Sequence, residues 1–142
     1  MFGRGWGGVM WEYRMDDAEH ALVSMGSLAS ESTLAADLMR QQGLRTGVIG
    51  VRAYRPFPAK ALTRSLERVE TVSVFEKDIS YGYGGALAMD LKAALFDANL
   101  RKRFSSFVAG LGGRDVRPEQ IAQSATDAIL NEPTYAWLDV RG

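Results

Sequence analysis

The stretch ALVSMGSLASESTLAADLMRQQG, residues 21–43, combines the two patterns that set the fold. Its first five residues form an apolar run that is rich in strand formers and too short for a helix. Turn residues follow, and the remainder has the spacing of an amphipathic helix that ends before Gly43. We therefore predict a strand over residues 21–25 and a helix over residues 27–42, with one apolar face formed by Leu34, Ala35, Leu38 and Met39.

The same strand-helix unit recurs three times along the chain. Apolar runs at residues 47–51, 71–75 and 104–109 are each followed by turn residues and then by a helical apolar period. The spacing of these runs, on the order of 30 residues, is typical of parallel βαβ crossovers. The periods are Leu62, Leu66 and Val69 after Pro58, then Leu87, Leu91 and Leu95, and then Ile121, Ala125 and Ile129 after Pro118.

These units predict an α/β fold of three layers, α/β/α, in which helices cover both faces of a mostly parallel sheet. Residues 9–15 alternate apolar and polar side chains, which indicates an additional, antiparallel edge strand. A chain of 142 residues is long enough to bury a core. We predict one domain over residues 1–142, with a glycine-rich linker at 1–8 and an apolar docking tail at 131–142.

The composition excludes several classes of protein. The 17 basic and 17 acidic residues cancel, so nucleic acid is not an expected partner. No apolar run approaches the ~20 residues that cross a bilayer, so a membrane is not expected either. The chain has no cysteine and one histidine, too few for a zinc or iron–sulfur site. With no signal-peptide core, these features predict a cytoplasmic protein without a cofactor of its own.

The loops that follow parallel strands meet at one edge of a sheet, where ligands and partners bind. Two of these loops carry glycine clusters, but neither has the G-x-G-x-x-G fingerprint or the Gly-Lys-Ser/Thr of a phosphate loop. A close-packing, partner-facing edge is therefore favoured over nucleotide binding. The candidate residues of this edge are Gly26, Ser27, Arg55, Pro56, Phe57, Gly82, Gly84, Gly85, Gly110, Gly112, Gly113, Arg114 and Asp115.

No catalytic set is evident in the sequence. His20 has no partner at a motif spacing, which favours a structural histidine at a strand end. Glu76, Lys77 and Asp78 follow the third apolar run and place a carboxylate at the functional edge, but no nucleophile pairs with them. The serines at positions 24, 27, 30 and 32 are candidates for capping the first helix. We therefore predict no catalytic, cofactor-binding or metal-binding residues.

Four motifs taken in order resemble the C-terminal domain of the α subunit of 2-oxoacid:ferredoxin oxidoreductases of the pyruvate synthase type. They are MGSLASESTLAADLMRQQG, GVIGVRAYRPFP, VSVFEKDISYGYGG and FVAGLGGRDV, and the resemblance extends over residues 12–129. It implies the transketolase C-terminal domain fold. It also implies a non-catalytic domain or subunit of a thiamine-dependent enzyme that oxidatively decarboxylates pyruvate or a related 2-oxoacid to acyl-CoA.

In that family, as the resemblance implies, thiamine diphosphate, magnesium, iron–sulfur clusters and coenzyme A belong to the complex rather than to this domain. The implied partners are the other domains or subunits and, through the complex, ferredoxin. Glu76-Lys77 stands where many relatives have an Asp-Arg pair, so a bidentate contact at that loop is not expected to carry over. A free-standing ligand-binding or regulatory α/β module is the alternative, and a structural interaction protein is a third.

Overall fold

The computed structural model describes residues 10–52, 57–77, 86–109, 116–131 and 135–138. These residues form six strands and four helices. In chain order they are β1 (Met10–Tyr13), β2 (His20–Met25), α1 (Ser27–Gln41), β3 (Thr46–Val51), α2 (Ala59–Ser65), β4 (Thr71–Glu76), α3 (Ala86–Asp97), β5 (Arg103–Ala109), α4 (Pro118–Leu130) and β6 (Tyr135–Leu138).

The strands form one sheet in the order β1-β3-β2-β4-β5-β6. β1 is antiparallel to β3, and the other neighbouring pairs are parallel. In the centre of the sheet, Val23 lies opposite Ile49 on one side and Val74 on the other. The predicted fold class, including the antiparallel edge strand, is confirmed. The four apolar runs form β2, β3, β4 and β5, and the ends of these strands lie within one residue of the predicted ends.

Helices cover both faces of the sheet. On one face α1 and α4 pack on Leu22, Val48, Phe75 and Phe107. The rings of Phe75 and Phe107 stack there with centroids 4.7 Å apart. On the other face α2 and α3 pack on the alternate side chains of the same strands, among them Val23, Ile49, Val72 and Val74. The central strands are therefore buried on both sides, which explains why their sequences are continuous apolar runs.

The start of α1 differs from the prediction. Gly26 is the residue before the helix and has φ 62°, a conformation that favours glycine, and none of the described side chains caps the helix. Two of the four candidate serines are buried instead: Ser32 donates to the Leu28 carbonyl oxygen at 2.7 Å, and its Oγ lies 3.3 Å from Ser24 Oγ. The hydroxyl groups bond within the layer between β2 and α1, so the capping prediction was wrong.

The apolar face of α1 also differs. Ala35, Ala36 and Met39 are buried, whereas Leu34 is 54% exposed. The buried alanines face α4, where small side chains allow two helices to approach closely. The prediction that Leu34 lies on this face was wrong. Apolar spacing alone did not distinguish the side of α1 that packs on α4 from the adjacent side, which carries Leu34 and faces solvent.

Helix α2 is shorter than its apolar period. It begins at Ala59 and ends at Ser65, although Leu62, Leu66 and Val69 are all buried as their spacing suggests. The Val69 N–H bonds to the Leu66 carbonyl at 3.3 Å, so the chain continues as a turn. The apolar period predicted correctly which side chains are buried, but it overestimated the length of the helix.

The two edge strands have different supports. Trp11 of β1 lies opposite Gly50 of β3, and a Cβ added at Gly50 would overlap the Trp11 indole ring. Glycine at this position is therefore what lets the indole lie against the sheet. At the other edge, residues 135–138 of the apolar tail form β6, which pairs with β5.

Among the helices described, none has the length and apolar character needed to span a bilayer.

Candidate functional site

The direction of the chain across the sheet reverses between β2 and β4. From β2 the chain passes through α1 to β3 on one side, and from β4 it passes through α3 to β5 on the other. In open parallel sheets, ligands bind in the crevice beyond the carboxyl ends of the strands at such a reversal. The sheet order thus identifies the ends of β2 and β4 as the place to examine.

A cavity of about 760 Å³ lies at this position. Its apolar walls include Trp11, Met25, Val51 and Leu87. The volume falls within the range of roughly 300–1,000 Å³ that is typical of small-molecule sites. We call this the carboxyl-edge cavity. Ser27, Ser30, Arg52, Glu76 and Lys77 contribute its polar groups.

The polar groups make part of the cavity lining electropositive. Arg52 and Lys77 are exposed, and Lys77 Nζ lies 3.4 Å from Ser27 Oγ, to which it donates. Helix α1 starts at the same place, with no cap from the side chains that the structure describes and no acidic residue in its first turn. A helix N-terminus carries a partial positive charge. This lining suits a carboxylate or phosphate group, while the walls suit an apolar group attached to it.

Glu76 contributes a carboxylate at this edge, as predicted, but both of its oxygens are engaged. Oε1 accepts the Leu87 N–H and Oε2 accepts the Ala88 N–H, each at 2.9 Å, and the residue is only 5% exposed. The negative charge therefore stabilises the positive end of α3. These two bonds were not predicted from the sequence. The sequence just before α3, GYGG, contains none of the usual capping side chains. This composition was a signal that the start of the helix needed an acceptor from another part of the chain.

A second cavity, of about 380 Å³, lies on the other side of the start of α1. It shares Ser27 and Lys77 with the carboxyl-edge cavity and adds Arg117, which precedes α4. The start of α1 is therefore flanked by two openings whose described cations are Arg52, Lys77 and Arg117.

Three of the predicted edge residues lie in the described part of the chain. Gly26 and Ser27 line the carboxyl-edge cavity, whereas Phe57 is half-buried and packs on the core beneath α2 and α3. The meeting of all four loops at this edge stays a prediction. The other ten residues lie outside the described residues: Arg55, Pro56, Gly82, Gly84, Gly85, Gly110, Gly112, Gly113, Arg114 and Asp115.

His20 lies where it was expected, whereas Trp11 is a cavity residue that was not predicted. His20 starts β2 at the opposite end of the sheet, where its Nδ1 lies 2.9 Å from Thr71 Oγ1 and burial lowers its pKa below the usual value. This position agrees with a structural histidine. Trp11, which lines the cavity, was not among the predicted edge residues. The alternation in residues 9–15 was a signal for it, because an antiparallel edge strand begins beside the carboxyl end of its neighbour.

Comparison with known proteins identifies the family. Residues 18–121 match the family described as pyruvate:ferredoxin oxidoreductase core domain II. The chain is 36% identical over 141 residues to the pyruvate synthase subunit PorA of Methanothermobacter thermautotrophicus, covering 99% of this chain and 36% of that protein. It is 33% identical over 126 residues to the ketoisovalerate oxidoreductase subunit VorA of Pyrococcus abyssi, covering 89% and 32%. The chain thus spans about a third of the length of these curated relatives.

Solved structures agree with the fold. A 2-oxoglutarate:ferredoxin oxidoreductase from Magnetococcus marinus matches with a TM-score of 0.66 at 17% identity, over 84% of this chain and 19% of that chain. A transketolase from Pichia stipitis matches with a TM-score of 0.52 at 16% identity, over 87% and 18%. These likenesses concern the fold alone, whereas the sequence match covers most of the chain. The chain therefore belongs to the pyruvate:ferredoxin oxidoreductase core domain II family.

Proposed function

We propose that this chain is a non-catalytic domain or subunit of a thiamine-dependent 2-oxoacid:ferredoxin oxidoreductase, an enzyme that converts pyruvate or a related 2-oxoacid to acyl-CoA. The observation that carries the proposal is the family match over residues 18–121. Curated relatives that align with the chain are named as subunits of pyruvate synthase and of ketoisovalerate oxidoreductase. The partners are then the other domains or subunits and, through the complex, ferredoxin, in the cytoplasm.

The metal-containing cofactors of such an enzyme do not fit the residues of this chain. An iron–sulfur cluster needs thiolate ligands, and the sequence contains no cysteine. Within the described ranges, no group of three or more His, Cys, Asp or Glu side chains is placed to hold a metal ion. We therefore assign the clusters and magnesium to other parts of the complex, and we place thiamine diphosphate and coenzyme A there as the family resemblance implies.

The carboxyl-edge cavity is the surface that we assign to contact with the thiamine-binding part. It lies where the parallel strands end, and its cations Arg52 and Lys77 are exposed. Glu76 is buried and accepts the Leu87 and Ala88 N–H groups of α3, whereas both cations face solvent. An acidic group of the neighbouring domain would complement them.

Reconstitution tests the proposal. The chain would be co-expressed with the thiamine-binding part and the remaining subunits of the oxidoreductase, and 2-oxoacid-dependent reduction of ferredoxin would be measured. We expect activity only when all parts are present. The Arg52→Glu/Lys77→Glu variant should weaken assembly at least tenfold, while Lys60→Glu, a charge reversal at an exposed position of α2, should not. A chain that never associates with a thiamine-binding partner would show the proposal to be wrong.

A second candidate is a free-standing ligand-binding or regulatory module, and the carboxyl-edge cavity is the observation that favours it. Apolar walls, two cations and an uncapped helix start suit a small anion with an apolar part. Titration calorimetry with thiamine diphosphate, NAD, ATP and coenzyme A separates the two candidates. Micromolar binding of any of them that is lost in Lys77→Ala would support this module, whereas assembly without such binding supports the first candidate.

A further inference from the structure

A groove of about 470 Å³ lies at the opposite end of the sheet from the carboxyl-edge cavity, between the last turns of α3 and the start of β5. We call it the α3–β5 groove. Phe96, Leu100 and Phe104 supply its apolar surface. Phe96 is 83% exposed, more than Leu130 at 68% or Leu34 at 54%. Large aromatic side chains that are exposed in this way, beside a groove, are typical of docking sites.

The charge of the groove is one-sided. Of the described residues that line it, Lys92, Arg101 and Lys102 are basic and none is acidic, although the chain as a whole has a net charge of zero. Lys92 Nζ lies 5.9 Å from the centre of the Phe104 ring, so this cation lies over the apolar surface. Arg101 is exposed. A partner that fills the groove therefore needs carboxylates around an apolar side chain.

The groove is held in shape by bonds of its own backbone and by one lysine. Lys102 Nζ donates to the carbonyl oxygens of Glu67 and Val69 at 2.8 and 2.7 Å, which fastens the start of β5 to the turn after α2. Asn99 has φ 61°, and the Leu100 N–H bonds to the Leu95 carbonyl at 2.9 Å, which ends α3. A surface that is already ordered loses little conformational entropy when a partner binds.

We propose that the α3–β5 groove docks an acidic segment with an apolar anchor side chain, contributed by another subunit of the oxidoreductase. The anchor lies against Phe96 and Phe104, and the carboxylates pair with Lys92 and Arg101. The inference rests on the proposed function for the identity of the partner. It adds a second contact surface to the domain, at the end of the sheet away from the carboxyl-edge cavity.

Site-specific photocrosslinking in the assembled complex tests the inference. A benzoylphenylalanine probe placed at position 96 should crosslink to an acidic segment of another subunit, identified by mass spectrometry. The same probe at Met89, which is 46% exposed near the start of α3, is the matched control. The Lys92→Glu/Arg101→Glu variant should reduce the crosslink from position 96 about tenfold while the chain stays folded, as judged by its circular dichroism spectrum.

Each other outcome contradicts the inference. A crosslink to a basic or uncharged segment, a crosslink to a second copy of this chain, or no crosslink from position 96 in a complex that has assembled would overturn it and leave the proposed function intact. If no complex with a thiamine-binding partner forms, the proposed function fails and this inference fails with it. As an independent measurement, Phe96→Ala should weaken subunit association about tenfold, whereas Leu130→Ala, at another exposed apolar position, should not.

Discussion

Replacing Glu76 with glutamine tests how the end of β4 positions helix α3. The wild-type carboxylate is buried and accepts the Leu87 and Ala88 N–H groups at 2.9 Å each. Glutamine has nearly the same shape, but one of its two terminal atoms is an amide nitrogen that donates rather than accepts. One backbone N–H would then face another donor, and the negative charge at the start of α3 would be lost.

The size of the effect follows from these two losses. A hydrogen bond to a charged group contributes about 1.5–3 kcal/mol, and a charge near a helix N-terminus contributes roughly 0.3–1 kcal/mol. The burial cost of the carboxylate, which glutamine partly removes, reduces the sum. We expect Glu76→Gln to lower the free energy of unfolding by about 1–3 kcal/mol, which for a domain of this size lowers the melting temperature by roughly 3–12 °C.

Thermal denaturation followed by circular dichroism, with urea denaturation as a second measure, gives the result. Glu67→Gln is the matched control, because it removes the same charge at an exposed position and should change stability by less than about 0.5 kcal/mol. If Glu76→Gln melts together with this control, the carboxylate does not hold the start of α3 and the reasoning is refuted.

Three further changes test other parts of the structure. Gly50→Ala places a Cβ against the Trp11 indole and should destabilise the chain by about 1–3 kcal/mol in thermal denaturation. Adding Trp11→Ala to this variant should recover part of that loss. If the losses of the two single variants simply add in the double variant, the close approach of the two residues is contradicted. Arg40 donates to the Thr46 and Arg14 carbonyl oxygens at 2.8 and 2.9 Å, so Arg40→Lys should lower the free energy of unfolding, measured by urea denaturation, by about 1–2 kcal/mol. Arg45→Lys, in the exposed pair with Glu19, should lower it by less than about 0.5 kcal/mol. Equal losses in the two variants would contradict a structural role for Arg40. Burial lowers the pKa of His20 in the folded chain, so the unfolded chain takes up this proton first as the pH falls. The free energy of unfolding should therefore decrease as the pH drops from about 7.5 through the ordinary histidine pKa near 6.5. His20→Gln should flatten this dependence, and an equal slope of stability against pH in both chains would contradict the reasoning.

The site was only partly predictable from sequence. The sequence identified the loop at Gly26 and Ser27, because glycine after an apolar run indicates a turn at a strand end. It did not identify Trp11 or the two bonds of Glu76. Those features join residues that are distant along the chain, 11 with 50 and 76 with 87 and 88, and no local period reports such contacts.

By itself, the sequence determined the strand-helix repeat, the mostly parallel sheet and the strand positions, because burial on both faces of a central strand requires a short, continuous apolar run. The tertiary structure decided the order β1-β3-β2-β4-β5-β6, the end of α2 at Ser65, the exposure of Leu34 and the reversal point where the carboxyl-edge cavity lies. The physical reason is that apolar spacing records only that a side chain is buried. Which neighbour buries it depends on how the crossovers bring distant segments together.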